Sequence, residues 1–162
     1  MQNLMLRISL FSIASLIAIS LPSCGTSKVK ECNSIGEVTK DMKAAADEIE
    51  ASTTSKNAQI IIQAMISVSG KTDKLSKDMK VLTIADEKLV GLQSQFVKLY
   101  QDNSKGMADT AKGLQTKNKA MADTAIAKMT EGDKQEAIMI KNLNDYCGWT
   151  EKDPKSAPDP KK

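Results

Sequence analysis

The sequence contains no histidine. That removes the side chain whose ordinary pKa puts proton transfer near neutral pH, and with it the commonest transition-metal ligand. Arginine is almost as scarce. The single one, Arg7, precedes the first cysteine, so the chain from Cys24 onward carries 22 lysines against 20 acids and no guanidinium group. Two-pronged contacts to phosphates or guanine edges are mainly arginine chemistry, whereas lysines mixed evenly with acids form an ordinary solvated helix surface. Nucleic acid is therefore not an expected partner. Aromatic residues make up only 3% of the chain, and glycine and proline are sparse between Lys30 and Tyr146. Strand signals are thin in such a composition, while its alanine, lysine and methionine favour helices.

Catalytic patterns are missing as well. There is no Cys-x-x-Cys pair, no Gly-x-Ser-x-Gly elbow and no glycine-rich phosphate loop; Gly91, Gly106, Gly113 and Gly132 stand singly. Acids such as Glu48, Glu87 and Glu136 fall in charged neighbourhoods, and a di-iron bundle would need Glu-x-x-His pairs. The expectation is a non-enzymatic protein with no catalytic residue, cofactor or metal site. Most of the methionines lie on the same apolar stripes as leucine and isoleucine, which favours core packing over copper binding.

What is present begins with a leader. Arg7 is followed by fourteen mainly apolar residues, Ile8 to Leu21, and then by small residues, the layout of a secretory signal peptide over 1–23. The run is shorter than the about 20 apolar residues of a spanning helix. It ends in Leu21-Pro22-Ser23-Cys24-Gly25, which resembles the bacterial lipobox, with Pro22 at the permissive position. The resemblance implies that Cys24 is the lipidation site. A diacylglycerol would be attached to its thiol, the chain cut after Ser23, and the partner of the mature N-terminus would be membrane lipid. Two or three acyl chains, at about 0.8 kcal/mol per buried methylene, make a durable anchor. The alternative is a soluble secreted chain cut near Ser23. The following residues, 24–30, read as a lipidated polar tether, whose six residues after Cys24 reach about 20 Å if extended. Lys28 and Lys30 could then meet anionic lipid, or merely solubilise a linker. Gly25 offers no acidic retention signal of the kind found in inner-membrane lipoproteins, so either membrane is open.

The region 31–149 reads as one helical domain. Apolar residues recur at three-then-four spacing in four stretches. The first holds Ile35, Val38, Met42, Ala45 and Ile49. The second runs from Ile61 through Met65, Val68, Thr72, Leu75 and Met79 to Leu82, thickened by Ile62 and Ile66. The third holds Leu89, Leu92, Phe96, Leu99, Asn103 and Met107 and fades at Leu114, and the fourth runs from Ala122 to Cys147. Thr83, followed by Asp86 and Glu87, reads as the capped start of the third helix. Gly148 and Trp149 read as the end of the fourth, and the lysine- and proline-bearing segment 150–162 as a disordered tail.

A repeat complicates the count. Met107-Ala-Asp-Thr-Ala111 recurs fourteen residues later as Met121-Ala-Asp-Thr-Ala125. Two heptads keep register along one continuous helix, so three helices with a long C-terminal coiled coil remain an alternative. Gly106, Gly113 and the polar run 115–119 favour a break. The cysteines weigh on the same side. With Cys24 acylated, Cys32 and Cys147 remain, one at each end of the helical region, and an even pair in an exported protein is first read as a disulfide. Only an even number of antiparallel helices brings those ends together, whereas three helices leave them some 35 Å apart. The expected fold is thus an all-α, antiparallel up-down four-helix bundle. The alternative for each cysteine is a small buried residue without a bond.

The chain is also similar to small helical lipoproteins associated with cyanobacteria. The likeness rests on a cysteine soon after the lipobox, on Asn144-Asp-Tyr-Cys147 and on the Leu89-x-x-Leu-Gln-x-x-Phe-Val-x-Leu-Tyr100 core. It implies no activity. The expected function is a protein-interaction or assembly module, lipid-anchored on the outer face of a bacterial membrane, with an unidentified protein partner. The alternatives are a small-ligand carrier or sensor, with a cleft lined by Met65, Phe96 and Met129, and an envelope spacer.

Overall fold

A computed structural model describes residues 24–55 and 57–149. Four helices follow one another: α1 (Cys24–Thr53), α2 (Ala58–Lys80), α3 (Glu87–Gln115) and α4 (Lys119–Cys147). Among the described residues there is no strand. The connections are short, so successive helices run antiparallel and the architecture is the expected four-helix bundle, with separate third and fourth helices. The leader and the C-terminal tail, 1–23 and 150–162, lie outside the described residues.

Each helix boundary has a local chemical cause. Asn57 caps α2, its side chain accepting a hydrogen bond from the Gln59 N–H. Asp86 caps α3 by accepting from the Lys88 and Leu89 N–H groups, both at 3.0 Å. The cap is therefore Asp86 and not Thr83, which lies outside the helix. Asn118 caps α4 by accepting from Met121 N–H. At the other end of α4, Gly148 takes the left-handed conformation (φ 70°), and the Trp149 N–H donates to Asn144 C=O at 2.9 Å. This six-to-one bond is the Schellman closure that the Gly-Trp ending led us to expect. The end of α3 is closed in the same way, by Asn118 N–H to Gly113 C=O at 2.8 Å, but here the left-handed position is held by Lys117 (φ 54°).

The core is graded along the bundle. At the end of the bundle where α1 starts and α4 finishes, all four helices contribute to one apolar cluster, including Ile35 and Met42 of α1, Met79 of α2, Phe96 and Tyr100 of α3, and Leu143 of α4. A middle cluster is smaller, with Ala45, Val68 and Met107 joined by Ile49 and Met129. The distal cluster is formed by α2 and α3 alone, through Ile62, Met65 and Ala111. α2–α3 and α3–α4 are the extensive interfaces; α1 leans on α2 and touches α3 and α4 sparingly. This taper explains why Ile66, Ile126 and Leu114, all placed on the stripes by periodicity, remain 45%, 44% and 39% exposed. Thr72 and Asn103, in contrast, are buried polar core residues; the Thr72 hydroxyl points to Met42 Sδ at 3.7 Å.

The α3–α4 interface is a seam of small residues. A Cβ added at Gly113 would sit 2.7 Å from the Ala122 backbone nitrogen; at Gly106, 2.6 Å from Met129 Cγ; and at Gly132, 2.6 Å from Asn103 Oδ1. The glycines that look in sequence like helix breakers thus allow two backbones to approach. The lysine–aspartate pairs on the outer faces, such as Lys43–Asp47 and Lys141–Asp145, are exposed i,i+4 contacts worth a few tenths of a kcal/mol each.

Two substitutions should separate seam from surface. Gly113→Ala is expected to destabilise by about 1–3 kcal/mol through overpacking against backbone that cannot rotate away. Gly70→Ala, where a Cβ meets nothing within 4 Å, is expected to stabilise by about 0.5–1 kcal/mol. Urea unfolding midpoints at unchanged slope give both signs. By the same assay Lys117→Gly should stabilise by up to about 1 kcal/mol, since it relieves a left-handed conformation in a residue with a Cβ.

Candidate functional site

The residues singled out by the sequence lie at one end of the bundle. Cys32 and Cys147 are joined as a disulfide, with Cα atoms 5.9 Å apart across 115 positions of sequence. Cys24 lies eight residues before Cys32 on the same helix. The segment 24–30, expected as an extended tether, is instead the first two turns of α1. Its polar composition gave no apolar stripe to read; what holds it as helix is a set of long-range contacts.

Glu31 is the centre of that set. Its carboxylate accepts the Ala85 and Asp86 backbone N–H groups at 3.2 and 3.0 Å, and the Ser27 hydroxyl at 2.7 Å. These bonds tie α1 to the α2–α3 loop and, the Ser27 bond first among them, hold the Glu31 carboxyl below the usual carboxylate range. Asp86, besides capping α3, accepts the Tyr146 hydroxyl of α4 at 2.7 Å. That bond is the main cause of the lowered Asp86 pKa and of the raised Tyr146 pKa. The Tyr146 ring in turn carries two ammonium groups, Lys28 Nζ at 3.8 Å and Lys88 Nζ at 4.5 Å from its centroid. Trp149 folds back so that its indole covers Gly36, where a Cβ would lie 2.6 Å from the ring. The first turns of α1, the α2–α3 loop and the end of α4 are therefore one polar lattice around a covalent bond.

A second polar feature lies within the α3–α4 interface, and sequence reasoning missed it. Tyr100 is fully buried, and its hydroxyl faces Glu136 without a hydrogen bond of regular geometry. Burial, reinforced by the nearby Asp133 charge, pushes the Glu136 carboxyl up to about 7; Tyr100 acts weakly in the opposite direction. In sequence Glu136 looks like any other surface acid; only the packing of α3 on α4 distinguishes it.

The outer side of the same interface is an open groove of about 770 Å³ between Leu99, Asn103 and Gly106 of α3 and Met121, Ala125 and Gly132 of α4. Met65, Phe96 and Met129 do not come together. They belong to the distal, principal and middle clusters in turn, so the cleft expected for a carrier has no common lining. Among the described residues no group of three histidine, cysteine or carboxylate side chains is placed to hold a metal ion, and no helix is long and apolar enough to cross a membrane. Comparison with protein-family models, curated proteins and solved structures finds no match.

Two outcomes follow from the site's chemistry. Reducing the disulfide, or replacing Cys32 and Cys147 together by alanine, should cost up to about 4–5 kcal/mol, the chain-entropy value for so long a loop; denaturant melts with and without reductant measure it. Glu136 gives a pH signature of definite sign. Its folded pKa lies above the unfolded value, so the folded state holds the proton more tightly and stability falls as pH rises from about 4.5 to 7. Glu136→Gln should abolish that slope and raise stability at pH 8 by roughly 1–3 kcal/mol. A variant whose melting temperature tracks the parent at both pH 5 and pH 8 would contradict it.

Proposed function

We propose that the protein is a non-enzymatic lipoprotein, anchored through acylated Cys24, whose helical bundle serves as an interaction or assembly module on the outer face of a bacterial membrane. The observation that carries the reading is the place of Cys24 in the lipobox-like Leu21-Pro22-Ser23-Cys24-Gly25, directly after the fourteen-residue apolar run that follows Arg7.

Other features support a scaffold over a catalyst. Several inward-facing polar groups serve the fold: Glu31 accepts loop amides, Asp86 caps a helix and accepts a tyrosine hydroxyl, and Thr110 donates to the Gly106 carbonyl at 2.8 Å. A disulfide suits an oxidising compartment outside the cytoplasm, which agrees with export. The surface, with lysines and acids interleaved, suits a protein partner better than a polyanion.

Intact mass of the chain after expression in a lipoprotein-processing host tests the anchor. Loss of residues 1–23 together with a gain of two or three acyl chains is expected. An unacylated product beginning near Cys24 would contradict the anchor and leave a soluble exported domain. Mild crosslinking on intact cells followed by affinity recovery tests the module. A defined heterologous partner is expected, and recovery of the protein alone would contradict it.

A further inference from the structure

Lipoproteins that hang from flexible tethers sample all orientations; the arrangement around Cys24 leaves this chain no such freedom. α1 is helical from Cys24 onward, and Cys24 lies one helical turn, about 6 Å, beyond Lys28. Lys28 already rests on the Tyr146 ring of α4, and three residues later Glu31 is bonded to the α2–α3 loop. The chain from the attachment point to Lys28 is continuous helix. We propose that the disulfide-closed end of the bundle rests directly on the bilayer surface, so that the molecule stands upright with its distal turns about 40 Å from the headgroups. This inference rests on the lipid attachment proposed above.

The chemistry of that end fits a lipid surface. Val81, 76% exposed, and Val29, 58% exposed, project at this end although four helices bury their apolar residues nearby. Lys30, Lys80 and Lys88 are exposed around them, and Lys28 is half-buried. The acids of the same end are largely turned inward: Glu31 accepts loop amides, and Asp86 accepts from the helix α3 N-terminus and Tyr146. Glu87 and Asp145 are the exposed exceptions, Asp145 being paired with Lys141. Short apolar side chains ringed by ammonium groups can sit at the headgroup boundary of an anionic bilayer, each lysine adding about 1 kcal/mol near such a surface. At the opposite end the turn residues 54, 55, 57 and 115–118 are all polar, and the exposed apolar side chains Ile60 (50%) and Leu114 (39%) lie in the adjoining helix turns.

The position of the sole tryptophan makes the posture measurable. Trp149 lies at the disulfide-closed end, against Gly36. The acylated protein is placed on phosphatidylglycerol-containing vesicles that carry a dansyl headgroup lipid, and energy transfer from Trp149 is compared with that from a distal tryptophan in Trp149→Phe/Gln115→Trp. Upright standing predicts transfer several-fold stronger from Trp149 than from position 115. Equal transfer from the two positions would overturn it. Hydrogen exchange of the unsubstituted protein gives the same answer without any variant. On vesicles the amides of 81–86 should slow while those of 116–118 stay unchanged, and the reverse pattern, or slowing at neither place, contradicts the posture. Coupling the chain through Cys24 to a maleimide lipid separates this inference from the one beneath it. If a processing host leaves Cys24 unacylated but the coupled protein still shows the asymmetry, the anchor fails and the end-on contact stands.

Discussion

The bond between Cys32 and Cys147 is the constraint on which the rest of the structure depends. It requires the start and finish of the helical domain to share an end, and so fixes the parity of the helix count. Away from that end, where the core thins, α1 is held chiefly by its packing on α2. Its contacts with α3 and α4 are sparse, and the distal apolar cluster excludes it altogether. The covalent link fastens α1 where the core is widest. Glu31 and Tyr146 then use the α2–α3 loop as a common anchor, so that one end of the molecule is rigid and the other comparatively loosely packed.

That asymmetry is also the most direct link between architecture and role. Rigidity is concentrated where the proposed anchor enters, and burial decreases toward the far turns. A device meant to hold a small ligand would be expected to enclose space near its best-packed region. Here the groove of about 770 Å³ is open to solvent along the outer side of α3 and α4. The small-residue seam beneath that groove draws the two helices together, and in doing so it half-buries Glu136 beside Tyr100. The raised Glu136 pKa thus follows from close helix packing, with the Asp133 charge adding to it.

Much of this fold was legible in the residues. The stripe Val68-Thr72-Leu75-Met79 is buried throughout, and so is Leu89-Leu92-Phe96-Leu99, because periodicity at 3.6 reports directly on which face meets a core. Cysteine parity separated two helices from one long one where the Met-Ala-Asp-Thr-Ala repeat argued the other way. What stayed hidden depended on partners distant in sequence. The first turns of α1 are polar and carry no stripe, so their helicity comes from Glu31 reaching position 86 and Lys28 reaching Tyr146. Asp86, rather than Thr83, caps α3 because the loop runs extended up to the residue whose carboxylate can also take the Tyr146 hydroxyl. Gly106 and Gly113 read as breaks because glycine lowers helix propensity, an effect outweighed here by the interhelical approach it permits. Of the proposed attachment site, Cys24 and the lipobox-like pentad around it were visible in sequence; its continuity with α1 was not.

The measurement that bears most directly on this account is a tryptic map of the protein without reduction. The account predicts a single cross-linked species joining the peptide 31–40, which contains Cys32, to the peptide 142–152, which contains Cys147, with the link lost on reduction. Both peptides appearing separately, each alkylated on a free thiol, would contradict the closure of the bundle and the rigid end built upon it.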